Sequence, residues 1–190
     1  MNDDKKKVVV FDFDKTLTNY DTLTTFFSAN TRGFCRIEYF FLKVLSKIKV
    51  LSVIQEKEIM LTKLSHKINL DESLSKYSKV IQLNTVKKIL DNEINMNNHV
   101  IILSASPEIY IKSLFPDCEV HCLIYEIKKG KVRIIQHPYG KDKVNVLKSY
   151  GIDYIDSMYY DSLSDEELIP LCLEWNKVKD GKIIFKGNKK

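Results

Sequence analysis

The stretch VVVFDFDKTLT, residues 8–18, decides the fold of this chain. Its first four residues, Val8 to Phe11, form a continuous β-branched and aromatic run, which is typical of a strand buried on both faces. Asp12 and Asp14 follow, with one residue between them. Side chains at i and i+2 of an extended chain point to the same side. Both carboxylates are therefore expected just beyond the carboxyl end of this strand.

Two carboxylates held this close repel each other unless a cation lies between them or one is protonated. A hard divalent cation with oxygen ligands removes the repulsion, and Mg²⁺ leaves room for a phosphate in its coordination shell. Open α/β sheets bind their ligands at the carboxyl ends of the strands. The alternative is a solvated turn, in which aspartate is common. The pair by itself does not separate the two interpretations.

Two further segments predict strands of the same sheet. HVIIL begins at His99 and runs into SASPE, and SMYYD ends at Asp161, after which SLSDEEL starts a helix. Helical patterns lie between the strands, which indicates a parallel sheet with right-handed crossovers. YEIKKGKVRII predicts a β-hairpin that turns at Lys129 and Gly130, and the tail DGKIIFKGNKK predicts one short edge strand. The fold class is α/β, with a doubly wound parallel sheet.

Residues 22–88 interrupt this alternation, because no convincing strand pattern occurs there. FCRIEYFFLKVLSKIKVLSVI, from Phe34, predicts one long apolar helix, and two further helices follow, with Asp71 as an N-cap. We interpret residues 21–88 as a small helical cap domain inserted after the first strand. Residues 1–20 and 89–190 then form the catalytic core.

Composition excludes several classes of protein. A chain of 190 residues with 44% hydrophobic content supports one core and a modest insertion. The net charge is +5, but the basic residues form no dense cluster in the sequence, so nucleic-acid binding is not expected. The four cysteines form no C-x-x-C pair, which favours buried thiols in a reducing compartment. The polar N-terminus MNDDKKK has no secretory signal, and no window approaches a spanning helix, so we expect a cytoplasmic protein.

Polar side chains recur at the ends of the predicted strands. Ser104 ends the second strand, and its hydroxyl together with backbone N–H groups from Ala105 onward forms an anion site. Asp161 ends the third strand, and Asp165 lies four residues later. A turn containing lysine, YGKDKV, precedes the helix before that strand. One sheet edge would thus present an acid, a hydroxyl and an acid beside a lysine, which indicates a single site.

Four segments, in this order, resemble the motifs of the haloacid dehalogenase superfamily of aspartate-nucleophile phosphatases: DFDKTLT, SAS, GKDK and DSLSD. They are spread over most of the chain, and together they are specific. The helical insertion is similar to that of the phosphoserine-phosphatase-like branch, subfamily IB. G-x-x-K-V and Y-x-D-S…D most resemble the phosphatidylglycerophosphatase C group. The resemblance implies a Rossmann-like core of the haloacid dehalogenase type. Lys15 and Tyr160 depart from it, since many relatives carry glycine at both positions.

The resemblance also implies a role for each acid. Asp12 would be the nucleophile that attacks phosphorus and becomes an aspartyl-phosphate. Asp14 would be the general acid for the leaving oxygen and then the general base for water. Asp12, Asp161 and the backbone carbonyl of Asp14 would bind Mg²⁺, and Asp165 would support the metal or the lysine.

The remaining implied roles concern the phosphate and the lysine. Thr16 would hold the loop in shape, and Ser104, with Ala105 beside it, would bind a phosphoryl oxygen. The third motif offers both Lys141 and Lys143 to neutralise the charge on Asp12 and the phosphate. The spacing G-x-x-K-V favours Lys143, whereas some phosphoserine phosphatases align better with Lys141.

The substrate is the least determined part of the prediction. Asp21 would either contact an amino group of the substrate, as a glutamate at this offset does in phosphoserine phosphatases, or N-cap the next helix. Arg32 and Arg36 lie closer to the first motif than the carboxylate-binding arginine of those enzymes, which counts against serine phosphate. The prediction is a Mg²⁺-dependent phosphomonoester hydrolase that acts on a small phosphorylated metabolite.

Three alternatives stay open. A lipid phosphate would use the apolar helix from Phe34 at a membrane, but packing of cap helices on one another explains its apolar residues better. Membrane contact is therefore not the favoured prediction. Phosphotransfer to an acceptor other than water would use the same intermediate. A non-catalytic binding module ranks below the enzyme, because it predicts loss of the nucleophile or a metal aspartate. The sequence indicates no oligomeric state.

Overall fold

The computed structural model describes residues 6–31 and 34–189, without the side chains of residues 34–36. Seven strands form one sheet in the order β4-β3-β2-β1-β5-β6-β7. The five central strands are parallel, and the outermost pairs, β3 with β4 and β6 with β7, are antiparallel. The strand bounds are β1 Val8–Phe11, β2 His99–Pro107, β3 Glu119–Lys128, β4 Lys131–Gln136, β5 Ile155–Tyr160, β6 Cys172–Lys179 and β7 Lys182–Asn188. The predicted α/β fold is confirmed, as are the hairpin and the edge strand.

Seven α-helices accompany the sheet in the described part of the chain, with 3₁₀ turns at Ser78–Val80 and Leu163–Leu171. The first four helices lie between β1 and α5, and the described residues between them form no strand. The cap boundaries at residues 21 and 88 stay a prediction. The helix bounds are α1 Thr22–Asn30, α2 Phe34–Lys47, α3 Val53–Ser65, α4 Leu70–Tyr77, α5 Lys87–Asn95, α6 Glu108–Leu114 and α7 Lys141–Ser149.

Capping side chains explain two differences from the predicted helices. The single long helix predicted from Phe34 is wrong, because Ser52 starts α3 with a capping box in which Gln55 is the reciprocal partner. Lys49, between the two helices, has a φ of 60°, which ends a helix. The predicted N-cap at Asp71 is also wrong. Asn69 caps α4 by accepting from the Glu72 amide, and Asp71 lies in the first turn.

The C-terminal region contains a strand that the sequence did not suggest. This strand, β6, contains Cys172 and Trp175, which both pack in or against the core. The predicted helix before them is a 3₁₀ segment that contains Pro170, which removes a backbone donor. β7 pairs with β6 so closely that a Cβ on Gly187 would lie 2.2 Å from Cε2 of Trp175. Glycine is therefore required there.

The two faces of the sheet bury separate apolar clusters. Val9 and Phe11 of β1 contribute to the cluster beneath the inserted helices, and Val10 contributes to the one beneath α7. This alternation shows β1 covered on both sides, as the run from Val8 predicted. Cys122 and Cys172 are buried, and they are free thiols like the half-buried Cys118. None of the described helices has the length and apolar character needed to cross a bilayer.

Candidate active site

The three strands that carry the predicted polar residues are neighbours at the centre of the sheet, in the order β2-β1-β5. The predicted strand end at Ser104 is wrong, because β2 continues to Pro107. Asp12 follows β1 directly, and its amide donates to the Tyr159 carbonyl of β5 at 2.9 Å. Asp161 follows β5, and Asp165 lies at the start of the next 3₁₀ segment. One carboxylate oxygen from each of Asp12, Asp161 and Asp165 lies within 4.8 Å of the others. The fold thus gathers three acids at one edge.

A buried lysine completes this cluster. Nζ of Lys143 lies 2.7 Å from Oδ1 of Asp12 and 2.5 Å from Oδ1 of Asp165, and the residue is only 2% exposed. Lys143 occupies the first turn of α7, which starts after Gly140 with a φ of 55° that favours glycine. Lys141, the other lysine of the turn, is exposed to solvent. Of the two lysines that the motif left open, Lys143 is the one in contact with the acids.

The Asp14 carboxylate is held apart from the three clustered acids. Its Oδ1 accepts hydrogen bonds from the amide and hydroxyl of Thr22 at 2.8 and 2.6 Å, and its Oδ2 accepts from the Ser106 hydroxyl. Neither Thr22 nor Ser106 was among the predicted site residues. Ser106 could have been found, because it lies two residues after Ser104 on the same strand and so points to the same side. Thr22 carried no recognisable signal.

Thr16 belongs to the first motif, and Ser104 and Ala105 belong to the second. Thr16 is fully buried, and its hydroxyl donates to Oδ2 of Asp12 at 3.3 Å, a contact that orients this carboxylate. Ser104 is also buried, and its Oγ accepts from the Ser106 amide at 3.2 Å. The Ala105 carbonyl accepts from Nζ of Lys57 on α3 at 2.6 Å. The inserted helices therefore reach the second motif directly.

The clustered acids, Lys143 and the second motif border a cleft of about 220 Å³. Lys15 lies exposed at its rim with a φ of 59°, so lysine occupies a backbone conformation that suits glycine better. Tyr160 is buried in the core, with Nζ of Lys177 5.7 Å from its ring centre, and does not narrow the cleft. The lining residues are Asp12, Asp14, Lys15, Asp21, Ser104, Ala105, Tyr139, Lys143, Asp161, Ser162, Ser164 and Asp165.

A second compartment of about 190 Å³ adjoins the cleft beneath the inserted helices. Asp21 lines both spaces, and its carboxylate also caps α1 by accepting from the Thr24 amide at 2.7 Å. The N-cap alternative for Asp21 is thus realised, at a place that also faces the cleft. Lys43 and Lys57 line the compartment as well. Arg32 and the side chain of Arg36 lie outside the described residues.

Burial dominates the electrostatics of the acids. It raises the pKa of Asp12 well above the usual range, and Asp165 and Asp161 add to this while Lys143 opposes it. Burial, followed by the charge of Asp165, raises the pKa of Asp161 to about 6. Burial alone would lower the pKa of Lys143, but Asp12 and Asp165 raise it, so this lysine stays charged.

The charges fit a hard divalent cation. Three carboxylates, those of Asp12, Asp161 and Asp165, face one ammonium group, that of Lys143, which leaves an excess of negative charge in a buried place. Oxygen ligands with this excess charge are those that Mg²⁺ prefers. The Asp14 carboxylate is turned toward Thr22 and Ser106 and is not part of the cluster of three acids.

The half-buried Lys57 and the buried His137 form a pair that carried no signal in the sequence. Nζ of Lys57 lies 3.0 Å from Nε2 of His137. Burial lowers the pKa of Lys57 to about 8, and burial together with the nearby lysines lowers that of His137 to about 3, so His137 is neutral. His137 thus differs from His99 and His121, which both contact Glu119 as structural histidines do.

Comparison with known proteins gives one family match. The family model described as haloacid dehalogenase-like hydrolase matches residues 9–168, which include all four motifs. The match covers well over half of the chain. No curated protein sequence is significantly similar.

Solved structures extend the comparison to the fold. A protein of unknown function from Bordetella pertussis Tohama I has a TM-score of 0.72 at 17% identity, covering 87% of this chain and 86% of that one. A phospho-aspartyl intermediate analogue of phosphoserine phosphatase has a TM-score of 0.58 at 18% identity, covering 88% and 84%. A phosphoserine phosphohydrolase-like protein from Francisella tularensis has a TM-score of 0.60 at 12% identity, covering 90% and 86%. At these identities the likeness is one of fold.

Proposed function

The chain belongs to the haloacid dehalogenase-like hydrolase family, and from that premise we propose that it is a Mg²⁺-dependent phosphomonoester hydrolase that works through an aspartyl-phosphate. One observation carries the proposal: Lys143 is buried between Asp12 and Asp165, and both acids lie beside Asp161. A buried ion pair alone is often structural. Here a third carboxylate, that of Asp161, lies beside the pair and lines an open cleft. This arrangement favours a reactive site over a purely structural ion pair.

Asp12 is the proposed nucleophile. Its carboxylate attacks phosphorus, the bond to the leaving oxygen breaks, and water later hydrolyses the aspartyl-phosphate to release inorganic phosphate. Lys143 and the Thr16 hydroxyl hold the two oxygens of Asp12 in place. Mg²⁺ would be held by Asp12, Asp161 and the Asp14 carbonyl, with Asp165 in support. When bound, it would neutralise charge on the phosphoryl group. Ser104 and the backbone at Ala105 are proposed to bind a phosphoryl oxygen.

Asp14 is the proposed general acid and base. Burial, followed by the charge of Asp21, raises the pKa of Asp14, which favours the protonated form that can donate to the leaving oxygen. Thr22 and Ser106 fix its carboxylate in one orientation. Once the leaving group has departed with the proton, the Asp14 carboxylate can accept a proton from the attacking water.

The proposed substrate is a small phosphorylated metabolite. The compartment beside the cleft presents charges of both signs, from Lys43, Lys57, Asp21 and Glu56, which suits a short polar leaving group. In this proposal residues 21–88 act as the cap that supplies these contacts. Transfer to an acceptor other than water would use the same intermediate and is distinguished by product analysis. The presence of Asp12, Asp14, Ser104 and Asp161 argues against a non-catalytic module.

The direct test is hydrolysis of p-nitrophenyl phosphate with and without metal. EDTA should reduce the rate by at least about 100-fold, and Mg²⁺ should restore it. The reason is that the metal stabilises the charge of the transition state by several kcal/mol. Mg²⁺ at about 100 times its Kd should also stabilise the fold by about 2.7 kcal/mol. Hydrolysis that persists unchanged in EDTA would refute the metal site. A panel of phosphoserine, sugar phosphates and phosphatidylglycerophosphate would then identify the leaving group.

The raised pKa of Asp161 predicts an unusual pH dependence of stability in EDTA. The folded-state pKa of about 6 exceeds the unfolded value, so the folded state binds more protons in this range. The contribution of Asp161 is therefore present at low pH and lost as the pH rises through about 6. Melting temperatures from pH 4.5 to 7.5 should fall more steeply in the wild type than in Asp161→Asn. Parallel curves would show that the pKa of Asp161 is not raised in the folded state.

A further inference from the structure

Helix α2 carries an apolar stripe on its outer face. Ile37, Phe40, Phe41, Val44 and Ile48 recur at the spacing that places residues on one side of a helix. All five are exposed, Phe40 and Phe41 by 70% and 62%. From Ile37 to Val44 the stripe runs for about 10 Å along α2, at 1.5 Å per residue, and Ile48 follows directly after the helix end at Lys47. Val50 extends it beyond the helix with 64% exposure. Soluble proteins rarely leave a contiguous apolar patch of this kind without a function.

The opposite face of α2 is already packed, so the stripe is not a misplaced core face. Tyr39 stacks on Phe27 of α1, with ring centres 5.6 Å apart, and Leu42 packs against the core. Nζ of Lys43 donates to the Thr24 hydroxyl at 2.6 Å. Packing of the inserted helices on one another therefore accounts for the inner residues of α2. It does not account for the outer ones.

The charge around the stripe is one-sided. Residues 34–50 contain four basic side chains and one acidic one, Glu38. Glu38 is paired with Lys63 of α3 at 2.7 Å, so its charge is compensated. Lys47 and Lys49 lie exposed at the end of α2, beside Ile48. Such an apolar face, with basic residues beside it, complements a surface that offers apolar groups for the stripe and anionic groups for the lysines.

We propose that this stripe is a docking face for an anionic phospholipid bilayer, on which α2 lies in the interface plane. Aromatic and aliphatic side chains would enter the boundary between headgroups and acyl chains, and Lys47 and Lys49 would meet the anionic headgroups. A second copy of the chain fits less well. It would bring the basic residues of two α2 helices together, with the only acid of the segment already paired.

The position of α2 gives the docking a consequence. Tyr39 and Lys43 on its inner side line the compartment next to the cleft, so a single helix separates this compartment from the stripe. Docking would therefore place this compartment, which adjoins the cleft, within one helix diameter, about 10 Å, of the membrane surface. The proposal concerns a surface and does not depend on the reaction proposed above.

The test is co-sedimentation of the whole protein with vesicles. Binding is expected to vesicles of mixed phosphatidylglycerol and phosphatidylcholine and to be much weaker with phosphatidylcholine alone. F40S/F41S should weaken binding at least about tenfold, because two large apolar side chains no longer enter the interface. Lys47→Gln and Lys49→Gln should each weaken binding to anionic vesicles about fivefold.

Phe185→Ser is the matched control, since Phe185 is 54% exposed on β7 and carries the same side chain. It should bind vesicles like the wild type. Hydrolysis of p-nitrophenyl phosphate, or the melting temperature, should be unchanged in F40S/F41S and would show that the variant is folded. Absence of wild-type binding to anionic vesicles, or equal effects of F40S/F41S and Phe185→Ser, would overturn the proposal. So would a wild-type dimer that F40S/F41S converts to a monomer without any vesicle binding.

Discussion

Asp12→Asn is expected to reduce the turnover of p-nitrophenyl phosphate by at least about 10⁴-fold, which is typical for removal of a nucleophile. An amide does not attack phosphorus, so no aspartyl-phosphate can form. The variant should stay folded, because asparagine has the same shape and Lys143 keeps its contact with Asp165 at 2.5 Å. The measurement is kcat in saturating Mg²⁺, with the melting temperature measured in parallel.

Stability distinguishes a catalytic Asp12 from a structural one. Burial and the nearby Asp165 and Asp161 raise the pKa of Asp12, so its charge is unfavourable in the metal-free fold. In EDTA, Asp12→Asn should therefore melt at the same temperature as the wild type or higher. Mg²⁺ should raise the melting temperature of Asp12→Asn less than that of the wild type, because the variant has lost one metal ligand. Undiminished turnover by this variant would exclude Asp12 as the nucleophile.

Lys143→Ala is expected to have the second large effect, on activity and stability together. Its removal leaves the carboxylates of Asp12 and Asp165 without their shared partner at 2.7 and 2.5 Å. Breaking a buried pair in this way costs about 3–5 kcal/mol. The rate should fall by at least about 100-fold, the scale for losing one group that stabilises transition-state charge.

Lys141→Ala is the matched control, because Lys141 lies two residues away on the same helix but is exposed. Its stability should change by less than about 0.5 kcal/mol and its rate by less than about twofold. Denaturant unfolding and kcat for p-nitrophenyl phosphate check both variants. If Lys141→Ala were the more damaging change, the assignment of Lys143 would be wrong.

Local patterns predicted the centre of the fold well. The run from Val8 to Phe11 is apolar on both sides because β1 is covered on both faces, so its character is visible without any neighbour. The hairpin at Lys129 and Gly130 was also recognisable, since both residues adopt the positive φ that a tight turn requires. In each case the signal lies within a few adjacent residues.

Other elements depend on contacts that no local pattern contains. β6 was missed because CLEWNKVK alternates only weakly, and its strand form is fixed by pairing with β5 and β7. The exposure of Phe40 and Phe41 could not be predicted. Helical spacing shows that a helix has an apolar face, but not whether this face points to the core or to solvent. Lys57 reaches Ala105 across 48 residues of chain, so its place beside the site had no sequence signal.

The sequence by itself determined which chemical groups stand at or near the carboxyl ends of the central strands: Asp12 after β1, Ser104 within β2 and Asp161 after β5. Strand periodicity and residue type are local properties, and they specify these positions directly. Only the tertiary structure decided that Lys143 rather than Lys141 contacts Asp12, and that the Asp14 carboxylate turns toward Thr22. The physical reason is that Lys143 and Asp12 are 131 residues apart, and such a contact is set by the packing of α7 against the sheet edge.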